Sequence, residues 1–172
     1  GKTRPAHLLP IASGVLGGDY MGGGRIESTM RFFRKHQKTS PQDLVVAMTK
    51  VESGVQAWEE RFPGFGQEHG DVNCMAVKIA ELLLACDGAG KGLLWGEALA
   101  KLLRAHRIDW TLSGVAAAVF SDLGFHPRSG VCLFQLMSAP GAIAHGLELA
   151  NKPITAMPYV SDDDYVIERE RG

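Results

Sequence analysis

The feature that most constrains this chain is the spacing of its apolar residues. From Leu44 onward, Leu44, Met48, Val51, Val55 and Trp58 recur at intervals of four and three, the signature of one buried helical face. Ser40-Pro41-Gln42-Asp43 in front reads as an N-cap, a proline at the first helical position and an acid in the first turn. The residue before Pro63 avoids the helical region, so this helix stops near Phe62. The same period runs through the rest. Ile26, Met30 and Phe33 predict a helix from about Arg25 to Lys38, and His7 to Leu16 a short apolar one. Asp71 caps a helix with Val72, Ala76, Ile79, Leu82, Leu83 and Cys86 on its buried side, and Asp87 to Gly90 breaks it. Leu94, Ala98, Leu102 and Ala105 predict a helix from Leu93 to His106. Asp109 precedes a small-residue helix from Trp110 to Leu123, Pro127 opens another, and Pro140 opens the next, ending near Asn151. No strand pair is evident. The reading is an all-α fold of about seven helices with no internal repeat, one domain over residues 1–172, and an extended acidic tail over 152–172.

Composition excludes several function classes. Eighteen Lys and Arg against nineteen Asp and Glu leave a net charge of −1, which gives no general attraction to a nucleic-acid backbone or an anionic membrane. No apolar run approaches the ~20 residues of a spanning helix, and the chain does not open on a signal peptide. Cys74, Cys86 and Cys132 are too few and scattered for a disulfide framework or a zinc site, so a reducing, cytoplasmic setting is expected. His145 and Glu148, one helical turn apart, lack a third ligand, and no metal is expected.

The 21 glycines cluster where chemistry could sit. Gly88-Ala89-Gly90-Lys91 has Ala85 where a phosphate loop needs its first glycine and Gly92 where it needs Ser or Thr, so it reads as a helix end. Gly64-Phe65-Gly66 lacks the third glycine of a dinucleotide fingerprint. The turn from Gly64 to Gly70 is either an anion-holding nest of free amides or a tight helix-to-helix turn. Gly22-Gly23-Gly24-Arg25 offers helix-start amides beside a guanidinium. Asp109, between two helices, is either an N-cap or a general base among apolar neighbours.

Three stretches, in this order, resemble the C-terminal half of the citrate synthase and citryl-CoA lyase family. Gly22-Gly23-Gly24-Arg25-Ile26-Glu27-Ser28-Thr29-Met30-Arg31-Phe32-Phe33 is similar to the family's His-Gly-Gly-Ala-x-Glu helix start. Pro63-Gly64-Phe65-Gly66-Gln67-Glu68-His69 is similar to its Pro-Gly-Phe-Gly-His loop, and Ile108-Asp109-Trp110-Thr111-Leu112-Ser113-Gly114 to its Val-Asp-Phe-x-Ser-Gly motif. Asp122-Leu123-Gly124-Phe125 and Pro140-Gly141-Ala142-Ile143-Ala144-His145-Gly146-Leu147-Glu148 echo its continuation.

The resemblance implies a citrate synthase-like helical fold and a Claisen-type step on an acyl-CoA thioester and a 2-oxo acid. It implies coenzyme A as substrate or ligand, no permanently bound cofactor, and a homodimer. Asp109 falls on the base, and Gly64, Phe65 and Gly66 on the CoA loop. The family's first His falls on Gly22 and its second on Gln67, with His69 two residues on as a substitute donor. The substrate-carboxylate Arg falls near Ser138, leaving Arg25 as the candidate guanidinium. The family's Asp-Pro-Arg reads Asp71-Val72-Asn73. Loss of an acid–base partner costs roughly 10²–10⁴ in rate and of a charge-stabilising donor ~10²–10³ more. Two readings follow: a divergent acyl-CoA lyase or synthase, and a catalytically degenerate CoA-binding or scaffolding member. Family chains are longer, so this one is expected to be a fragment or a reduced form.

Overall fold

The computed structural model describes residues 24–48, 55–67 and 70–149. Among these are seven α-helices: α1 (Gly24–His36), α2 (Pro41–Met48), α3 (Val55–Arg61), α4 (Cys74–Leu84), α5 (Lys91–Leu103), α6 (Leu112–Asp122) and α7 (Pro127–Leu149). A 3₁₀ turn, Arg104–His106, follows α5. The expected all-α fold of about seven helices is what is found. No helix among the described residues is long and apolar enough to cross a membrane. The segment His7–Leu16, Val51, and the tail from 152 lie outside the described residues.

α1 is the central element. Glu27 in its first turn and Arg34, Lys35 and His36 in its last complement the helix dipole. Its expected stripe of Ile26, Met30 and Phe33 has no exposed surface. Ile26 and Met30 pack with Ala117 and Phe120 of α6, and with Val131 and Phe134 of α7. Gly130 admits that approach, because a Cβ there would strike the Met30 sulfur. Phe32 and Phe33 face the other way, into the main core with Phe62, Phe65, Trp95, Leu99 and Trp110. The rings interlock: Phe33 stacks on Trp110 at 6.2 Å and meets Trp95 edge-on at 5.4 Å. Leu44 is buried in this cluster, and Met48 and Trp58 pack against it. The single helix read over this stripe is described in two parts, α2 and α3, and residues 49–54 and the side chain of Val55 lie outside the described residues.

Several expectations are corrected. The stripe Leu94, Ala98 and Ala105 is exposed, and α5 instead buries Leu93, Trp95, Gly96, Leu99, Ala100 and Leu103. The deciding partner is Trp110, whose ring lies on the helix backbone where a Cβ at Gly96 would collide with it. Of the buried side expected for α4, Ala76 is buried and Ile79 and Leu83 pack against the core, but Leu82, and Cys86 beyond the helix end, are exposed, and Ala80 is buried instead. The cap of α4 is Asn73, whose side chain accepts from the Ala76 N–H at 2.9 Å; Asp71 is exposed. Pro140 does not open a new helix but lies inside α7, where it lacks the N–H that would bond the Leu136 carbonyl. A strand pair does exist: β1 (Phe65–Gly66) pairs antiparallel with β2 (Asp109–Trp110), Phe65 opposite Trp110 and Gly66 opposite Asp109.

The segment Gly88 to Gly90 is a turn between helices, with Gly88 at φ +93°, and Lys91 opens α5. The Asp122 carboxylate accepts from the N–H groups of Gly92 at 2.6 Å and Leu93 at 2.9 Å. The end of α6 therefore caps the start of α5. Side chains at Gly90 or Gly92 would occupy the Asp122 carboxylate's place. With those amides already bonded to a carboxylate, this turn has no seat for a phosphate.

Candidate functional site

The three family-like stretches meet at one point. Gly64 stands at φ +91°, a conformation that favours glycine, and a Cβ on it would lie 2.6 Å from the Thr29 methyl and 2.9 Å from Gly114 Cα. A Cβ on Gly114 would in turn fall on the Gly64 carbonyl oxygen. That oxygen accepts from Thr111 twice, from its N–H at 3.1 Å and its hydroxyl at 3.1 Å. Thr111 is also the N-cap of α6, its hydroxyl oxygen accepting from the Gly114 N–H at 3.0 Å. The start of α1, the glycine turn and the start of α6 are thus locked together. The cap falls on Thr111, not Asp109, and the helix begins at Leu112, not Trp110.

Asp109 is consequently free for another role. Its residue is 4% exposed, and both carboxyl oxygens are engaged. Oδ2 accepts from Arg104 Nε at 2.6 Å, and Oδ1 accepts from the Trp110 N–H at 2.8 Å. Arg104 also reaches Glu97 at 3.1 Å, and Glu97 accepts from the Trp110 indole N–H at 3.0 Å. One guanidinium therefore bridges two carboxylates. The hydrogen bond from Arg104 to Asp109 is the main reason the guanidinium is held above its ordinary pKa, against the opposing effect of burial. Arg107 makes this meeting possible. It stands at φ +59°, so the chain reverses after α5 and brings residue 109 back onto residue 104.

The neighbouring candidates sit on the glycine turn. Gln67 Nε2 donates to the Arg107 carbonyl at 2.9 Å, and the Gln67 N–H donates to Glu59 Oε1 at 3.2 Å. Arg25 Nη1 pairs with Glu59 Oε2 at 2.9 Å. Glu59 therefore links the start of α1 to the turn, and Gly66 leaves the space it occupies. The Phe65 N–H donates to the Phe62 carbonyl at 3.0 Å. The Phe65 and Gln67 amides are thus bonded internally, to a carbonyl and a carboxylate, and among the described residues these two read as part of a tight turn; residues 68 and 69 lie outside the described residues. The strand pair sets Gly64, Phe65 and Gly66 beside Asp109, with Gln67 and Arg25 joined to them through Glu59.

Ser138 is not part of this arrangement as far as its contacts go. It is exposed on α7, and its hydroxyl donates to the Phe134 carbonyl at 2.9 Å. Gly22 and His69 lie outside the described residues, as does the side chain of His145. Cys74, Cys86 and Cys132 are free and exposed. Among the described residues no group of three His, Cys, Asp or Glu could hold a metal ion. Glu59, Glu97 and Arg104 went unread in the sequence. Arg104 sits five positions before Asp109, a spacing that neither helix nor strand periodicity pairs. No protein-family model, no curated protein and no solved structure matches this chain.

Proposed function

We propose that this chain is a citrate synthase/citryl-CoA lyase-like protein that acts on an acyl-CoA thioester together with a 2-oxo acid, forming or cleaving a carbon–carbon bond. The observation that carries this reading is the meeting of Thr29, Gly64 and Gly114, with Gly66 paired to Asp109. Three stretches separated in sequence contribute a turn, a helix start and a carboxylate to one locus, as a two-substrate site needs. In this reading Asp109 takes a proton from the carbon next to the thioester carbonyl, and the C–H electron pair moves into the enolate. Gln67 and His69 donate hydrogen bonds to the carbonyl oxygens, and Arg25 pairs with a substrate carboxylate. Glu97 has a part here as well. When Asp109 accepts the proton its charge is lost, and Arg104 keeps an ionic partner in Glu97. The test is cleavage of citryl-CoA by the wild type and by Asp109→Asn. A fall of roughly 10²–10⁴-fold in the variant supports the base role. Equal rates refute it.

One observation favours the second reading, a catalytically degenerate CoA-binding or scaffolding protein. Both Asp109 oxygens already accept hydrogen bonds at a side chain only 5% exposed, and Gly22 stands where the family has its first His. Calorimetric binding of CoA and acetyl-CoA without turnover supports that reading, and turnover removes it.

A further inference from the structure

A groove of about 440 Å³ opens one helical turn along α1 from Thr29. Residues 28, 31, 32, 35 and 36 share the α1 face that forms one wall, and the end of α3 forms the other. Three cations line it: Arg31 and Lys35 from α1, and Arg61 from α3. Glu60 is the acid in the lining, and Glu27, one turn back on α1, pairs with Arg31. The excess is positive, on a chain whose net charge is −1. The floor is apolar, made by Phe32, Met48 and Pro63. His36, at the rim, has its pKa lowered from 6.5 first by burial and then by the Lys35 ammonium, which fits a locally positive field.

We propose that this groove binds a phosphate-bearing organic anion, its phosphates between Arg31, Lys35 and Arg61 and its apolar or planar part over Phe32, Met48 and Pro63. Guanidinium groups on facing walls match phosphate oxygens, which accept paired N–H donors. The groove is open to solvent and has room for more than one inorganic phosphate. The inference does not rest on the acyl-CoA reading, because neither Asp109 nor the Gly64–Gly66 turn lines the groove.

The probe is ADP, titrated calorimetrically into the full chain. The wild type is expected to bind, and Lys35→Glu and Arg61→Glu each to weaken binding at least ~10-fold, the scale of a lost charge-assisted hydrogen bond. Lys35→Arg should retain binding. Adenosine and pyrophosphate should each bind more weakly than ADP. Lys35 is exposed, so Lys35→Glu tests the charge without disturbing the core, and circular dichroism checks its fold. No binding of ADP at millimolar concentration overturns the proposal. So do unchanged affinity in Lys35→Glu and pyrophosphate binding as tightly as ADP.

Discussion

Replacing Gly114 with Ala tests the convergence of the three stretches, because two effects of opposite sign compete there. Gly114 lies inside α6, and helix propensity alone favours Ala over Gly by up to ~1 kcal/mol. The packing opposes it. The added methyl would fall on the Gly64 carbonyl oxygen, and the nearest atoms are all backbone, which has no alternative rotamer. That oxygen is held by the N–H and hydroxyl of Thr111, so moving it breaks two hydrogen bonds of about 1 kcal/mol each. Overpacking adds a further 1–3 kcal/mol or so. Set against the propensity gain, the net effect is a loss of about 2–4 kcal/mol. Urea denaturation followed by far-ultraviolet circular dichroism measures it. A Gly114→Ala protein as stable as the wild type, or more stable, would refute the close approach of α6 to the glycine turn.

Asp122→Ala removes the carboxylate that caps α5, and a loss of about 1–2 kcal/mol is expected by chemical denaturation. Asp122→Asn should lose less, since its one remaining carboxamide oxygen can still accept from an N–H. His36 gives a pH test. Its folded pKa lies below the unfolded 6.5, so the unfolded state binds more protons in the window beneath that value. Its contribution is present above 6.5 and is lost as pH falls toward the folded pKa. His36→Gln should therefore lose less stability than the wild type between about pH 7 and about pH 5, and parallel curves would contradict it.

What the sequence makes legible follows from how local each signal is. The α1 stripe of Ile26, Met30 and Phe33 is readable because three large apolar residues share one face and nothing competes for them. On α5 the choice of face depends on Trp110, fifteen or so residues on, whose ring settles against Gly96. Leu94 is then left outside, although by composition it is as good a core residue as Leu93. The strand pair is two residues long, too short for an alternating pattern to announce it. The proline at 140 reads as a helix start by local preference, yet α7 continues through it. The candidate site divides the same way. The glycine turn and Asp109 stand out by residue type and order. Arg104, Glu97 and Glu59 do not, because the Arg104–Asp109 contact depends on the chain reversal at Arg107 and the Arg25–Glu59 pair joins residues 34 apart on α1 and α3.

The central claim is that Asp109 removes a proton from an acyl-CoA bound beside the glycine turn. Proton NMR of acetyl-CoA in deuterium oxide reads that step alone, without a second substrate. The wild-type chain should exchange the methyl protons of the acetyl group, and Asp109→Asn should exchange them roughly 10²–10⁴-fold more slowly. Equal exchange rates in the two proteins, or none above the solvent background in either, would contradict it.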